Sequence, residues 1–189
     1  VYPAQVLWQY EGRAITVEFA HFFLVNLYVP NSGVADLKNL PVRLGSWDPA
    51  LREHVRKLEA RGKPVVVCGD LNVAHRDEDI WHVGTKTKRD LTQSAGLTPQ
   101  ERESFGKLLE AGMVDTFRHV HGDATGWFTW WSPKMRKTAE QSSREQGKGL
   151  RLDYFLASKS LVEDGGELRV HDSWMVDEVK FRAQSDHGP

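Results

Sequence analysis

The stretch Val65–His75, VVVCGDLNVAH, leaves this chain few ways to fold. Val65 to Cys68 is a short apolar run with three β-branched residues, which reads as a fully buried strand. Burying the valines puts the run in the core, so Asp70 and Asn72 emerge at its end, wet on one side and held rigid on the other. Residues two apart in extended chain share a face. A carboxylate that only accepts and a carboxamide that donates and accepts can then aim at one point. The same two residue types also suit a plain turn, Asp70 starting it and Asn72 capping it. The rest of the chain decides between a turn and a site.

A length of 189 residues suffices for one sizeable domain with its own core, and no internal repeat or linker divides it. The net charge of −1 announces no polyanionic partner, so any basic surface is local. Such surface would come from Lys86, Lys88 and Arg89, and from a stretch running from Lys134, Arg136 and Lys137 to Arg151. The single cysteine, Cys68, excludes an internal disulfide framework and suggests a reducing compartment. No apolar run reaches the length of a membrane span. Val1-Tyr2-Pro3-Ala4 resembles neither a signal nor a transit peptide, and both ends of the chain look cut.

Ala14–Phe19 and Phe22–Val29 read as two strands of a tight hairpin. Asp48-Pro49 reads as a helix N-cap followed by proline; Leu51, Val55 and Leu58 give that helix an apolar face, and Gly62 stops it. Residues 76–96 read as a long functional loop. Thr98-Pro99-Gln100-Glu101 is a capping box opening a helix with Phe105, Leu108 and Leu109 on one side and Gly112 at its end. Further strands are expected at Trp127–Trp131, Leu150–Ala157, Leu168–Met175 and Val179–Ala183. Hairpin-like spacing predicts mostly antiparallel sheets. His119-Val120-His121 has strand spacing for a metal but lacks supporting ligands, His171-Asp172 reads as incidental, and Cys68 as inert.

Three polar groups sit at strand ends: Asp70 with Asn72, Asp153, and Asp186 with His187. Asp153 lies inside an apolar run and needs a partner. A histidine would serve, since the carboxylate fixes its tautomer and leaves the other ring nitrogen for work. His187 offers that imidazole, and Asp186 a hard oxygen for a divalent cation. Arg151 or Arg182 are the alternative partners for Asp153.

In order, YVPNSG, GDLNVAH, LTPQERESFGKLLEAGMVDTFR, GLRLDYFLAS and SDHGP resemble the exonuclease III family of apurinic/apyrimidinic endonucleases. The likeness covers most of residues 12–189 and is nearest the branch with the eukaryotic repair enzymes. It implies a four-layer α/β/β/α sandwich of two mostly antiparallel sheets, incomplete here, as one domain over residues 1–189. Members of the family begin with another half that holds a metal-binding glutamate. Neither that half nor the last strand after Ser-Asp-His is in this sequence, so the chain is expected to be about the C-terminal two-thirds of such an enzyme. Alone, it is expected to expose an apolar sheet face and to be aggregation-prone or inactive.

By position, the resemblance makes Asp70 the carboxylate on the attacking water, Asn72 the amide beside it, and His187 the phosphate contact with Asp153 as its partner. Tyr28 and Asn31 resemble residues near the phosphate, and Trp130 an aromatic around the extruded sugar. Leu150 replaces a commoner tryptophan at the substrate. Asp186, Asp70 and Asn72 are the implied ligands of Mg²⁺ or Mn²⁺. Implied activities are incision 5′ to an abasic site with a 3′-hydroxyl product, 3′-phosphodiesterase and 3′–5′ exonuclease. Implied surroundings are double-stranded abasic DNA, a monomer, no membrane, and the nucleus or mitochondrion. Rival readings are another phosphoesterase on the same scaffold (a DNase I-like nuclease, a sphingomyelinase or a phosphoinositide phosphatase) and a catalytically inactive DNA-binding protein.

Overall fold

Alternating burial builds the sheet. β1 (Ala14–Glu18) and β2 (Phe23–Tyr28) pair as the expected antiparallel hairpin, Ala14 opposite Leu27 and Glu18 opposite Phe23. A helical run then carries the chain back: α1 (Leu40–Val42), one wide turn at Arg43–Trp47, and α2 (Asp48–Glu59). It serves as the crossover that parallel pairing demands, and β3 (Val65–Asp70) runs parallel to β2. There follow a 3₁₀ turn (Asp77–Asp79), α3 (Pro99–Glu110), β4 (Met113–Asp115), α4 (Thr116–His121), β5 (Trp130–Trp131), β6 (Gly149–Leu150) and β7 (Asp153–Ser158).

This computed structural model describes residues 11–33, 36–81, 93–132, 143–163, 165–166, 168–176 and 185–188. The basic residues Lys86, Lys88, Arg89, Lys134, Arg136 and Lys137, the strand expected at Val179–Ala183 with Arg182, and residues 1–10 lie outside that range. No helix among the described residues is long and apolar enough to cross a membrane.

The main sheet has the order β1-β2-β3-β7-β4, and β5 and β6 form a small second sheet. The β2–β3 ladder is parallel and the others described are antiparallel. One sheet face packs Phe23, Val25, Leu27, Val65, Val67, Tyr154 and Leu156 with Leu51, Val55 and Leu58 of α2 and Phe105 and Leu108 of α3. The opposite face carries Ile15, Leu24, Val66, Cys68 and Phe155, with Ile15 57% and Phe155 59% exposed. Among the described residues, α2 and α3 pack on the first of these faces, and the fully buried β3 expected from sequence is instead half-buried at Val66 and Cys68.

Other expectations need correcting. Asp48 is helical (φ −63°, ψ −41°), not a cap, because the helix starts at Leu40. Pro49 has no N–H to give the preceding turn, and that turn widens so that Asp48 N–H donates to the Arg43 carbonyl. The strand expected at Leu150–Ala157 is two strands in different sheets, broken at Arg151-Leu152. Of Trp127–Trp131 only Trp130 and Trp131 pair, and residues 168–176 form no strand. His119 and His121 lie on α4, where spacing of two does not share a face. Thr98 and Glu101 form the capping box as read.

Gly69 fixes the end of β3. Its φ is +112°, and a Cβ there would lie 2.1 Å from the Leu27 carbonyl oxygen of the neighbouring strand. Gly62 also has positive φ (+87°), but nothing lies within 4 Å of its Cβ position. Gly69→Ala should therefore destabilise the protein by at least about 3 kcal/mol, and Gly62→Ala by about 1 kcal/mol. Denaturant titration of the two variants checks this ranking.

Candidate active site

Three strand ends bring Tyr28, Asp70 and Asp153 side by side. The parallel ladder sets Tyr28 opposite Asp70, and the antiparallel ladder sets Asp70 opposite Asp153, all on the face away from the helices. Tyr28 is 55% exposed and has the Arg13 guanidinium 4.9 Å from its ring centroid.

Asn72 follows in a left-handed turn (φ +50°) and is 6% exposed. Its N–H donates to Asp70 Oδ1 at 2.8 Å, and its Nδ2 to Asp70 Oδ2 at 3.0 Å and to the Val29 carbonyl at 2.8 Å. Its Oδ1 accepts from Asn31 Nδ2 at 3.0 Å. On the other side, His187 Nδ1 lies 2.9 Å from Asp153 Oδ2, which fixes the Nδ1–H tautomer. Arg151, the alternative partner for Asp153, turns elsewhere. Trp130 faces His187 in a bridge and Leu150 across β5–β6, and its Nε1 donates to Asp186 Oδ2 at 3.1 Å. Trp130 and Leu150 rest on a small cluster of Ala74, Ile80, Leu97 and Leu152.

Burial pushes the Asp70 carboxyl up to about 6, and the neighbouring Asp153 charge adds to the rise against the Asn72 N–H and His187. Burial alone would lower the pKa of His187. The hydrogen bond to Asp153 and the charges of Asp153, Asp70 and Asp186 outweigh it and hold that pKa above the usual value. Among the described residues, no three His, Cys, Asp or Glu gather to enclose a metal. Asp70, Asn72 and Asp186 offer hard oxygens, and the disfavoured charge on Asp70 is one that a cation would relieve. That donor set fits a cation which retains most of its water.

The residues behind the site were not legible as such. Arg43 donates to the carbonyls of Leu71 and Asn72, both at 2.7 Å, and to Glu101 Oε1 at 3.1 Å, so it clamps the Asn72 turn from within. Glu101 also takes the Ser32 hydroxyl and the N–H groups of Gly96 and Thr98. Behind β7, Asp79 bonds Arg118 and Arg151, and Arg151 reaches Asp115 at 2.6 Å. All four are buried. The Arg43 partners are all distant in sequence, and although Asp79 accepts the Arg76 N–H three residues back, its arginine partners Arg118 and Arg151 are distant too.

A family model described as the Endonuclease/Exonuclease/phosphatase family matches residues 9–187. An exodeoxyribonuclease of Bacillus subtilis is 41% identical over 153 residues, 81% of this chain and 55% of that protein. The DNA repair nuclease APEX1 of Danio rerio is 40% identical over 179 residues, 95% of this chain and 51% of that protein. Among solved structures, the AP endonuclease LMAP from Leishmania major matches with a TM-score of 0.76 at 31% identity, over 94% of this chain and 53% of that one. The chain spans about half the length of these curated relatives.

The buried ion pairs behind β7 generate a stability test. Burial would raise the Asp79 pKa, but the Arg151 and Arg118 contacts prevail and hold it below the usual carboxylate range. A depressed pKa contributes stability that is present above the unfolded value, about 3.9, and is lost as pH falls through the folded one. Asp79→Asn should destabilise the protein by about 3 to 5 kcal/mol at pH 7. The gap to wild type should narrow below about pH 4 in paired denaturation curves.

Proposed function

The chain belongs to the endonuclease/exonuclease/phosphatase family, and from that premise we propose that it carries catalytic residues of a DNA base-excision repair endonuclease. The reaction is hydrolysis of the phosphodiester 5′ to an abasic site in double-stranded DNA, leaving a 3′-hydroxyl. The observation that carries the reading is the meeting of two hydrogen-bonded pairs, Asp70 with Asn72 and Asp153 with His187, at adjacent strand ends.

Asp70, with its pKa raised to about 6, holds and deprotonates the attacking water. Asn72 uses both its backbone and its side chain to keep that carboxylate in one orientation. Asp153 ties down Nδ1–H of His187 and helps raise its pKa, which favours the imidazolium, whose Nε2–H then donates to the phosphoryl oxygen where charge grows. Tyr28 and Asn31 bracket the phosphate from β2 and the following turn. Trp130 and Leu150 wall the pocket for the baseless sugar, which swings out at little cost because it has no pairing to lose. Asp70, Asn72 and Asp186 would hold the divalent cation, Mg²⁺ or Mn²⁺ in its place, which when bound offsets charge on the phosphoryl oxygens. The proposed setting is a monomer acting in the nucleus.

The test uses the intact protein and a labelled duplex with one abasic site, in Mg²⁺ and then in chelator. Wild type should incise only with the metal, and Asp70→Ala should lose about 10²- to 10⁴-fold in turnover while still binding the duplex. Hydrolysis of inositol phosphates without incision would assign the protein to another branch of the scaffold. Binding by wild type without incision would make it a DNA-binding protein only.

A further inference from the structure

The Asp153–His187 pair is assembled from segments far apart in sequence, and one buried residue touches both. Thr129 is 5% exposed and lies just before β5. Its N–H donates to the Leu150 carbonyl at 2.9 Å, and its Oγ1 accepts from the N–H groups of both Leu152 and Asp153, each at 2.9 Å. Its carbonyl accepts the N–H of Gly188 at 2.7 Å, immediately after His187.

These bonds fall where the ladders fail. Between β6 and β7 the chain leaves one sheet and enters another, so the N–H groups of Leu152 and Asp153 lack the strand partner that a continuous strand would give. Left unpaired, such buried groups are costly. The Thr129 hydroxyl stands in for the missing strand. On its other side, the Gly188 bond and the Trp131 N–H to the Asp186 carbonyl (2.9 Å) set His187 opposite Trp130. The backbone of Asp153 and that of His187 are therefore both referenced to the same residue.

We propose that Thr129 is a positioning residue for the proposed hydrolysis: its hydroxyl, gripping the Leu152 and Asp153 amides, sets the distance and angle at which Asp153 meets the His187 ring. The inference rests on the site reading above and adds a residue that touches neither phosphate nor cation.

Thr129→Val removes the hydroxyl and keeps the shape, whereas Thr129→Ser keeps the hydroxyl and loses a methyl. Two readouts on the intact protein separate the outcomes. The first is the proton resonance of His187 Nδ1–H in the absence of DNA, assigned by its loss in His187→Gln. It should move upfield and broaden in Thr129→Val and return in Thr129→Ser. The second is steady-state incision of the abasic duplex, where Thr129→Val should lower kcat by about 10- to 100-fold with KM within about twofold, and Thr129→Ser should restore it. An unchanged resonance in a folded Thr129→Val overturns the proposal. So does a kcat loss that Thr129→Ser fails to restore, or one matched by an equal rise in KM. Should wild type incise nothing, the enzymatic reading fails, and the resonance alone still decides whether Thr129 sets the pair.

Discussion

Two carboxylates, Asp70 and Asp153, stand directly opposite each other at the end of the β3–β7 ladder, and the sheet cannot slide to part them. Like charges in that relation are destabilising. Relief by a one-residue slip would turn Val65, Val67 and Leu156, all fully buried, to the other face. The hydrophobic core therefore enforces the electrostatic conflict. Burial first and the facing Asp153 charge second raise the pKa of Asp70, and the His187 imidazole beside Asp153 is a partial answer to the conflict.

Holding that conflict in place calls for rigid support, and it comes from charges buried on the inner side. Arg43 and Glu101 join the Asn72 turn to α3, while Asp79, Arg118, Arg151 and Asp115 brace the entry to β7. Every one of these ions has a partner, as burial requires. The arrangement divides labour by strand parity: Tyr154 and Leu156 point into the core, and the Tyr154 hydroxyl donates to the Val73 carbonyl beyond the Asn72 turn. Asp153, one residue before Tyr154, points the other way. Core and site thus share strands without sharing side chains.

Features set by neighbouring residues were legible in the sequence. The β1–β2 hairpin, the Thr98–Glu101 capping box and the apolar face of α2 each depend on contacts within a dozen residues or so. A carboxylate in an apolar run argues for a histidine beside Asp153, and the 2.9 Å contact is there. The roles given to Tyr28, Asn31, Trp130 and Leu150 came through family resemblance, since their side chains carry no local mark of a phosphate or sugar. The illegible parts are long-range. Asp48 looks like a cap until a helix already under way arrives from Leu40, and Leu150–Ala157 looks continuous until its halves are claimed by different sheets. Arg151 and Asp153 would share a face in a continuous strand, which makes them look like a pair. The break at Arg151-Leu152 sends Arg151 inward to Asp79 and Asp115 instead.

That break also explains why the charges collect at strand ends. In mid-strand, at the position of Phe155, a second carboxylate would face Cys68 where the neighbouring backbone N–H groups are committed to the ladders. At the ends, backbone N–H groups released from the ladder become available: Asn72 N–H goes to Asp70, and those of Leu152 and Asp153 go to Thr129. Water reaches one side, and the sheet fixes the other. Solvation enough to keep a carboxylate ionisable and rigidity enough to aim it are competing demands. The last residue of a strand is where a chain of this kind can meet both, and Asp70 ends β3 just as Asp153 begins β7.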